Sequence, residues 1–146
     1  MSATVTSVPQ IDLNADVGEG FDDAALMPHI SSANVAAGGH AGDDESIART
    51  VALAHKHGVA VGAHPSYPDR AGFGRSAVEL SPEALERTVG EQIARVQRAA
   101  GTLHHVKPHG ALYHRAGESR EVAEAIVRAA RAIDPDLFIV GPPLLV

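Results

Sequence analysis

Short apolar stretches alternate along this chain with longer stretches in which apolar residues recur every three or four positions. The short stretches predict strands and the longer ones predict amphipathic helices, because the two structures repeat with periods of two and 3.6 residues. The five predicted strands are residues 10–14, 32–37, 59–63, 103–107 and 137–140. The predicted helices are a short one at 22–29 and three long ones at 44–57, 82–100 and 120–133.

Residues that favour helix ends support these boundaries. Asp43, Ser81 and Ser119 precede the three long helices, where a short polar side chain can accept a hydrogen bond from a free backbone N–H. Gly58 and Gly101 follow the first two of these helices, as glycine often does at a helix end. The pattern therefore predicts a regular alternation of strands and helices along one domain, residues 1–146.

This alternation predicts a parallel sheet with right-handed crossovers, which can be doubly wound or part of a (β/α) barrel. A complete barrel of eight units needs about 250 residues, and this chain has 146 and stops just after the fifth predicted strand. We therefore expect the first part of a longer domain.

Composition excludes several classes of protein. The net charge of −6 argues against nucleic-acid binding, and no apolar stretch is long enough to span a bilayer. Residues 1–6 lack the charged start and apolar centre of a signal peptide. The absence of cysteine excludes disulfides and thiolate zinc sites, and it favours a cytoplasmic location.

Titratable residues gather where predicted strands end, which is where α/β enzymes hold their chemistry. Asp12, Asn14 and Asp16 lie at the end of the first predicted strand. A buried carboxylate is costly unless it is paired, so these acids need an explanation. One explanation is a general base, or a carboxylate that orients a base or a metal; the other is a structural hydrogen-bonding network.

Histidine and lysine residues follow the later strands in the same way. His40 comes after the second strand, His64 ends the third, and Lys107 and His109 follow the fourth. Neutral imidazole transfers protons or binds metals near pH 7. Lysine can polarise a carbonyl or pair with a substrate carboxylate, although a salt bridge to Asp12 or Asp16 is an equally simple role.

Some familiar motifs are missing. Imidazole and carboxylate together suit zinc, manganese or iron, but neither His-Glu-x-x-His nor His-x-x-Glu-His occurs, and we assign no metal ligand. There is no phosphate-binding P-loop and no Gly-x-Ser-x-Gly nucleophile motif. The loop at 65–80 carries Arg70 and Arg75, which suggests either a lid that clamps an anion or a solvated surface loop.

Taken together, the motifs resemble the LamB/YcsF family, the A subunit of prokaryotic 5-oxoprolinase. The resemblance covers essentially the whole chain from residue 10. It is carried by segments in the family's order: 11–20, 32–36, 40–43, 62–70, 73–75 and 105–113. The chain differs from common family members at Ala37 and Gly39, which are often Cys and Phe, and at His114, which is often Asn. The family also continues with further strands.

The resemblance implies an incomplete (β/α) barrel of the glycoside hydrolase/deacetylase type with about five parallel strands. It also implies ATP-dependent opening of 5-oxoproline to glutamate with B and C subunits, which would handle ATP and magnesium. The expected pocket residues, carried over by motif position, are Asp12, Asn14, Asp16, His40, His64, Lys107 and His109.

We expect Asp12 or Asp16 to act as a base and His40 and His64 to carry protons. Lys107 would face the substrate carboxylate or oxyanion. The other expected substrate-binding residues are Asn14, His109, Arg70 and Arg75.

Two other functions remain open. The chain could be a metal-dependent amide or ester hydrolase that acts alone. It could also be an inactive chain that only binds partners or self-associates, because an open half barrel exposes sheet edges that invite pairing with another chain.

Overall fold

A computed structural model describes residues 10–143 of the chain as alternating strands and helices. The strands are β1 (Asn14–Val17), β2 (Ser32–Ala36), β3 (Ala60–His64), β4 (His105–Val106) and β5 (Phe138–Ile139). The helices are α1 (Asp23–Leu26), which continues into a 3₁₀ turn (Met27–His29), α2 (Asp44–Lys56), α3 (Pro82–Ala100), α4 (Gly110–Glu118) and α5 (Arg120–Ile133). The segment tested for a signal peptide, residues 1–6, lies outside the described residues.

The five strands form one parallel sheet in which neighbours in sequence are neighbours in space, in the order β1-β2-β3-β4-β5. A doubly wound sheet would reverse its order part-way, whereas a (β/α) barrel adds each strand beside the previous one. Within the described residues β1 and β5 do not pair with each other, so the sheet is open. The predicted α/β fold with five parallel strands is confirmed, and it is consistent with an incomplete barrel.

The two faces of the sheet differ in polarity. One face contributes apolar side chains to a core shared with α2, α3 and α5, and Val35, Val61 and Val106 on it are almost completely buried. The opposite face is polar, because side chains alternate along a strand and these strands alternate apolar with polar residues. Its members are Asn14, Asp16, Ser32, Asn34, Gly62, His64 and His105.

The long helices begin where the sequence predicts. Asp43 accepts a hydrogen bond from the Ser46 N–H at 2.8 Å, and the Ser46 hydroxyl accepts one from the Asp43 N–H, which closes a capping box. Ser81 and Ser119 cap α3 and α5, their hydroxyls accepting from the N–H groups of Ala84 and Val122. No helix within residues 10–143 is both long and apolar enough to cross a bilayer.

Two elements differ from the prediction. The first strand was predicted at 10–14, but β1 begins at Asn14, and Ile11 and Leu13 are 83% and 54% exposed. Their alternation with polar residues is typical of a strand, but neither side chain enters the core. Helix α4 was not predicted because it begins at Gly110 without a side-chain cap, and burial of Leu112 and Ala116 stabilises it instead.

Gly62, at the centre of the polar face, makes room for the His105 side chain. A Cβ atom at residue 62 would overlap the His105 ring. This ring is buried, and its Nε2 lies 2.6 Å from Asn34 Oδ1. Because Gly62 on β3 has no side chain, His105 on β4 can reach across it to form a buried hydrogen bond with Asn34 on β2.

We predict that Gly62→Ala lowers the free energy of unfolding by about 2–4 kcal/mol, because it combines overpacking with the loss of a buried hydrogen bond. Gly90→Ala in α3 is the matched control, since a Cβ there meets only Ala129 at an ordinary 3.9 Å. The control should be neutral or stabilising by about 0.5–1 kcal/mol. Urea denaturation measures both, and equal stability of the two variants would contradict this role of Gly62.

Candidate active site

The carboxyl ends of β1, β3 and β4 line an open cleft of about 660 Å³, and buried His40, which follows β2, packs against His109 of its lining. Each strand end or following loop contributes titratable groups, because the carboxyl ends of parallel strands meet at the same edge of a sheet. Those groups are Asp16 and Glu19 from β1, His40 from β2, His64 from β3, and Lys107 and His109 from β4. Arg75 and Tyr113 line the cleft together with Asp16, His64, Lys107 and His109.

Asp16 and Lys107 form an ion pair at the cleft. Lys107 Nζ lies 2.8 Å from Asp16 Oδ1, and the Asn34 amide donates to the same oxygen at 2.7 Å. Burial alone would raise the pKa of Asp16, but contacts with His64, Lys107 and Asn34 outweigh it and hold this pKa well below its usual range. Asp16 is therefore an anion near neutral pH, and the alternative role of Lys107, a salt bridge to Asp16, is observed.

His64 is held in one orientation by a backbone carbonyl. Its ring is 1% exposed, and its Nδ1 lies 2.6 Å from the carbonyl oxygen of Lys107. A carbonyl only accepts hydrogen bonds, so Nδ1 carries the proton and, in the neutral ring, Nε2 carries a lone pair. That Nε2 lies 3.5 Å from Asp16 Oδ2 and 3.0 Å from His109 Nδ1.

His109 is oriented in the same manner. Its Nε2 donates to the carbonyl oxygen of Phe73 at 2.9 Å, which leaves the lone pair of the neutral ring on Nδ1. Burial, together with the neighbouring His40 and His64, lowers the pKa of His109 and favours this neutral form. The two inward nitrogens, His64 Nε2 and His109 Nδ1, therefore face each other at 3.0 Å.

Glu19 completes the cluster, and we did not predict it. Its Oε1 lies 2.8 Å from His40 Nε2, 3.6 Å from His109 Nδ1 and 3.9 Å from His64 Nε2. Burial would raise the pKa of Glu19, but the hydrogen bond from His40 and the nearby imidazoles lower it overall. A sequence signal was available, because Glu19 stands between two glycines directly after β1.

The glycines beside Glu19 explain its position. Gly18 and Gly20 have φ angles of 75° and 93°, in the region that residues with a side chain rarely adopt. The resulting turn is fixed by the Gly18 N–H, which donates to Asp23 Oδ2 at 2.8 Å. It brings the Glu19 carboxylate to the histidines that follow β2, β3 and β4.

The loop at 65–80 is built of hydrogen-bonded turns that support the cluster. The Asp69 carboxylate accepts from the N–H groups of Gly72 and Ser76, and Phe73 adopts a φ of 54°. Arg70 Nη1 donates to the carbonyls of Gly38 and Gly42 at 3.0 and 2.8 Å. Arg70 thus braces the loop that carries His40 and does not enter the cleft.

Asp12 and Asn14 lie away from the cluster. Asp12 precedes Asp16 by four residues, about 13 Å along an extended chain, and accepts hydrogen bonds from Ser31 and Ser32. Asn14 bonds to Ser32 and Asn34 on the polar face. The structure therefore brings together five predicted residues, Asp16, His40, His64, Lys107 and His109, and keeps Asp12 and Asn14 in a hydrogen-bonding network beneath them.

Comparison with known proteins identifies the family. The model of the LamB/YcsF family matches residues 11–145. The chain belongs to the LamB/YcsF family. The chain is also similar to a solved structure, the lactam utilization protein from Thermus thermophilus, at 48% sequence identity with a TM-score of 0.88. That match covers 92% of this chain and 59% of the Thermus chain, so the present chain spans less than two thirds of this LamB/YcsF relative.

His105, in the network beneath the cleft, should make the stability of the protein depend on pH. Burial, reinforced by His104, lowers the pKa of His105 from 6.5 to about 4. Between pH 6.5 and about pH 4 the unfolded chain therefore binds more protons at His105 than the folded protein does. Acidification through this range lowers the free energy of unfolding. The full effect is roughly 3 kcal/mol and is complete below pH 4.

Thermal melting of the wild type and of His105→Gln between pH 7 and pH 4 measures this contribution. Glutamine keeps an amide donor near Asn34 but does not titrate in this range. We expect the variant to lose less stability than the wild type on acidification. Parallel curves for the two proteins would show that another group causes the acid sensitivity.

Proposed function

We propose that this chain takes part in opening a cyclic amide, as a component of an ATP-dependent 5-oxoprolinase that converts 5-oxo-L-proline to L-glutamate. The observation that carries the proposal is the cleft in which Lys107, anchored by Asp16, stands beside an oriented pair of histidines. The 48% identity to a protein named for lactam utilization supports a lactam as the substrate class.

The positively charged side chains of the cleft match the acceptor groups of 5-oxoproline. 5-Oxoproline carries one carboxylate and one lactam carbonyl, and both need a positive or hydrogen-bonding partner when the ring opens. The Lys107 ammonium and the Arg75 guanidinium line the same cleft. Lys107 would face the carboxylate or the developing oxyanion, where a fixed charge stabilises the transition state more than the ground state.

The reaction requires a water molecule to be activated beside the lactam carbonyl. The water oxygen adds to the carbonyl carbon, the C–N bond breaks, and a proton passes to the nitrogen, which becomes the amine of glutamate. The inward nitrogens of His64 and His109 adjoin the Asp16–Lys107 pair and can serve this activation, either as bases or as ligands of a cation that binds the water. Asp16 is better suited to holding Lys107, because a carboxylate with so low a pKa is a weak base.

We propose that the partner subunits bind ATP and magnesium. An amide is a poor electrophile, so energy from ATP is a reasonable requirement for opening the ring. The sequence contains no P-loop, which supports assigning the phosphoryl step to the B and C subunits.

We also propose that the chain can form a homo-oligomer, since Phe138 and Val140 beside the β5 edge are 65% and 40% exposed.

A second candidate is hydrolysis of an amide or ester by this chain alone. The observation that favours it is the group formed by Glu19 with His40, His64 and His109, which could hold a metal ion. The two functions differ in their dependence on ATP and on the partner subunits.

Lys107→Met provides the test of the proposed function in a complex reconstituted with the B and C subunits. We expect ATP-dependent release of glutamate from 5-oxoproline to fall about 100-fold in kcat/KM, as after loss of an oxyanion donor. Because this change leaves Asp16 without its partner, the double variant Asp16→Asn, Lys107→Met should be measured beside it to keep the local charge balanced.

Lys56→Met is the matched control, since Lys56 is exposed in the last turn of α2. It should retain wild-type activity. Unchanged glutamate release by the Lys107 variants would refute the role of Lys107. If the wild type instead released product without ATP or partners, the second candidate would replace the first.

A further inference from the structure

Three acceptor atoms converge beside the cleft. They are Nε2 of His64, Nδ1 of His109 and Oε1 of Glu19, separated by 3.0, 3.6 and 3.9 Å. All three residues are largely buried: the histidines are 1% and 7% exposed, and the Glu19 side chain is 12% exposed. The inward nitrogens of two imidazoles and a carboxylate oxygen thus meet in a space with little water.

This arrangement is unfavourable unless a positive charge stands among the three atoms. The opposite nitrogen of each imidazole donates to a backbone carbonyl, that of Lys107 or of Phe73, so neither ring can turn its N–H inward without losing that bond. A proton shared between the rings or a metal cation can supply the charge. Histidine ligands of metals characteristically donate their other N–H to a carbonyl in this way.

We propose that Glu19, His64 and His109 form a binding site for one divalent cation of the zinc and manganese class. Two imidazoles and a carboxylate are a donor set suited to these ions. Tetrahedral zinc with bonds near 2.05 Å would place its ligands about 3.3 Å apart, and the observed separations of 3.0–3.9 Å lie around this value.

His40 has a different part in this site. Its ring is stacked on His109 at 3.7 Å with an angle of 4° between the planes. An ion in the plane of the His109 ring therefore lies outside the plane of the His40 ring, where His40 has no lone pair to offer. His40 instead contacts Glu19 through Nε2 at 2.8 Å, so we assign it as a positioning residue that orients the carboxylate.

Three protein ligands leave a zinc or manganese ion with an open coordination position for water or substrate. Asp16 Oδ2 lies 3.5 Å from His64 Nε2, so the ligands adjoin the Asp16–Lys107 pair and the cleft. An ion bound there would lower the pKa of a coordinated water. The inference depends only on the geometry of the three ligands and not on the identity of the substrate.

The test uses the untagged chain, stripped with a chelator and then titrated with Zn²⁺ or Mn²⁺ in a calorimeter. We expect one equivalent to bind to the wild type and to raise its melting temperature, since a ligand that binds the folded state stabilises it. Glu19→Gln, His64→Gln and His109→Gln should each weaken binding at least 100-fold. His40→Gln should weaken it by about 10–100-fold, as loss of a hydrogen bond to a ligand does.

His55→Gln is the matched control, because His55 is exposed in the last turn of α2 and is not a member of the cluster. It should bind the cation as the wild type does. Circular dichroism of each metal-free variant establishes that it is folded. Co²⁺ absorption of the wild type, with its loss in the folded Glu19→Gln variant, provides a coordination signature that a general structural role would not produce.

Two results would overturn the proposal. If the folded wild type binds no stoichiometric Zn²⁺ or Mn²⁺, the cluster holds a shared proton. If the ligand variants bind as tightly as the wild type, the ion occupies another part of the chain. Neither result bears on ATP-dependent glutamate release with the partner subunits, so this test and the test of the proposed function can fail separately.

Discussion

The side-chain amide of Asn34, completely buried at the centre of the polar face, is the interaction on which this structure depends. Its nitrogen donates to Asn14 and Asp16, and its oxygen accepts from His105 and Asn14. A buried amide left without partners would cost several kcal/mol, so the surrounding strands must keep their register for the sheet to be stable. The amide therefore couples three strands through polar contacts on a face where a complete barrel commonly packs branched apolar side chains.

The geometry of the cleft follows from this network and from backbone groups that do not titrate. Asn34 fixes Asp16, and Asp16 in turn holds the ammonium of Lys107. Lys107 also contributes its backbone carbonyl, which orients His64. The carbonyl of Phe73 orients His109 in the same manner. The charge of Asp16 thus positions the Lys107 ammonium, and backbone carbonyls determine which nitrogen of each imidazole faces the cleft. A change of pH would alter the charge of the histidines without removing the groups that orient them.

Prediction from the sequence succeeded where the signal is local and failed where it depends on tertiary contacts. Caps such as Asp43 and Ser81 gave the helix starts, because the capping bond involves neighbours in sequence. The strand at 10–14 was misplaced since only the neighbouring strand decides which residues pair. His40, His64 and His109 could be predicted from their positions after strands. The direction of each imidazole proton could not, because it depends on carbonyls distant in sequence. Glu19 was missed although the glycines on either side of it offered a signal.

Charge balance in the cleft connects the proposed function with the proposed cation. Asp16 already has a full positive charge beside it in Lys107, whereas Glu19 faces the ring of His109, whose burial lowers its pKa and favours the neutral form. Of these two carboxylates, Glu19 is therefore the one whose charge is left for a ligand to neutralise. A divalent ion there would more than balance Glu19, and the excess positive charge would attract a substrate carbonyl or hydroxide. Lys107 would then be free to serve the substrate carboxylate while remaining tethered to Asp16.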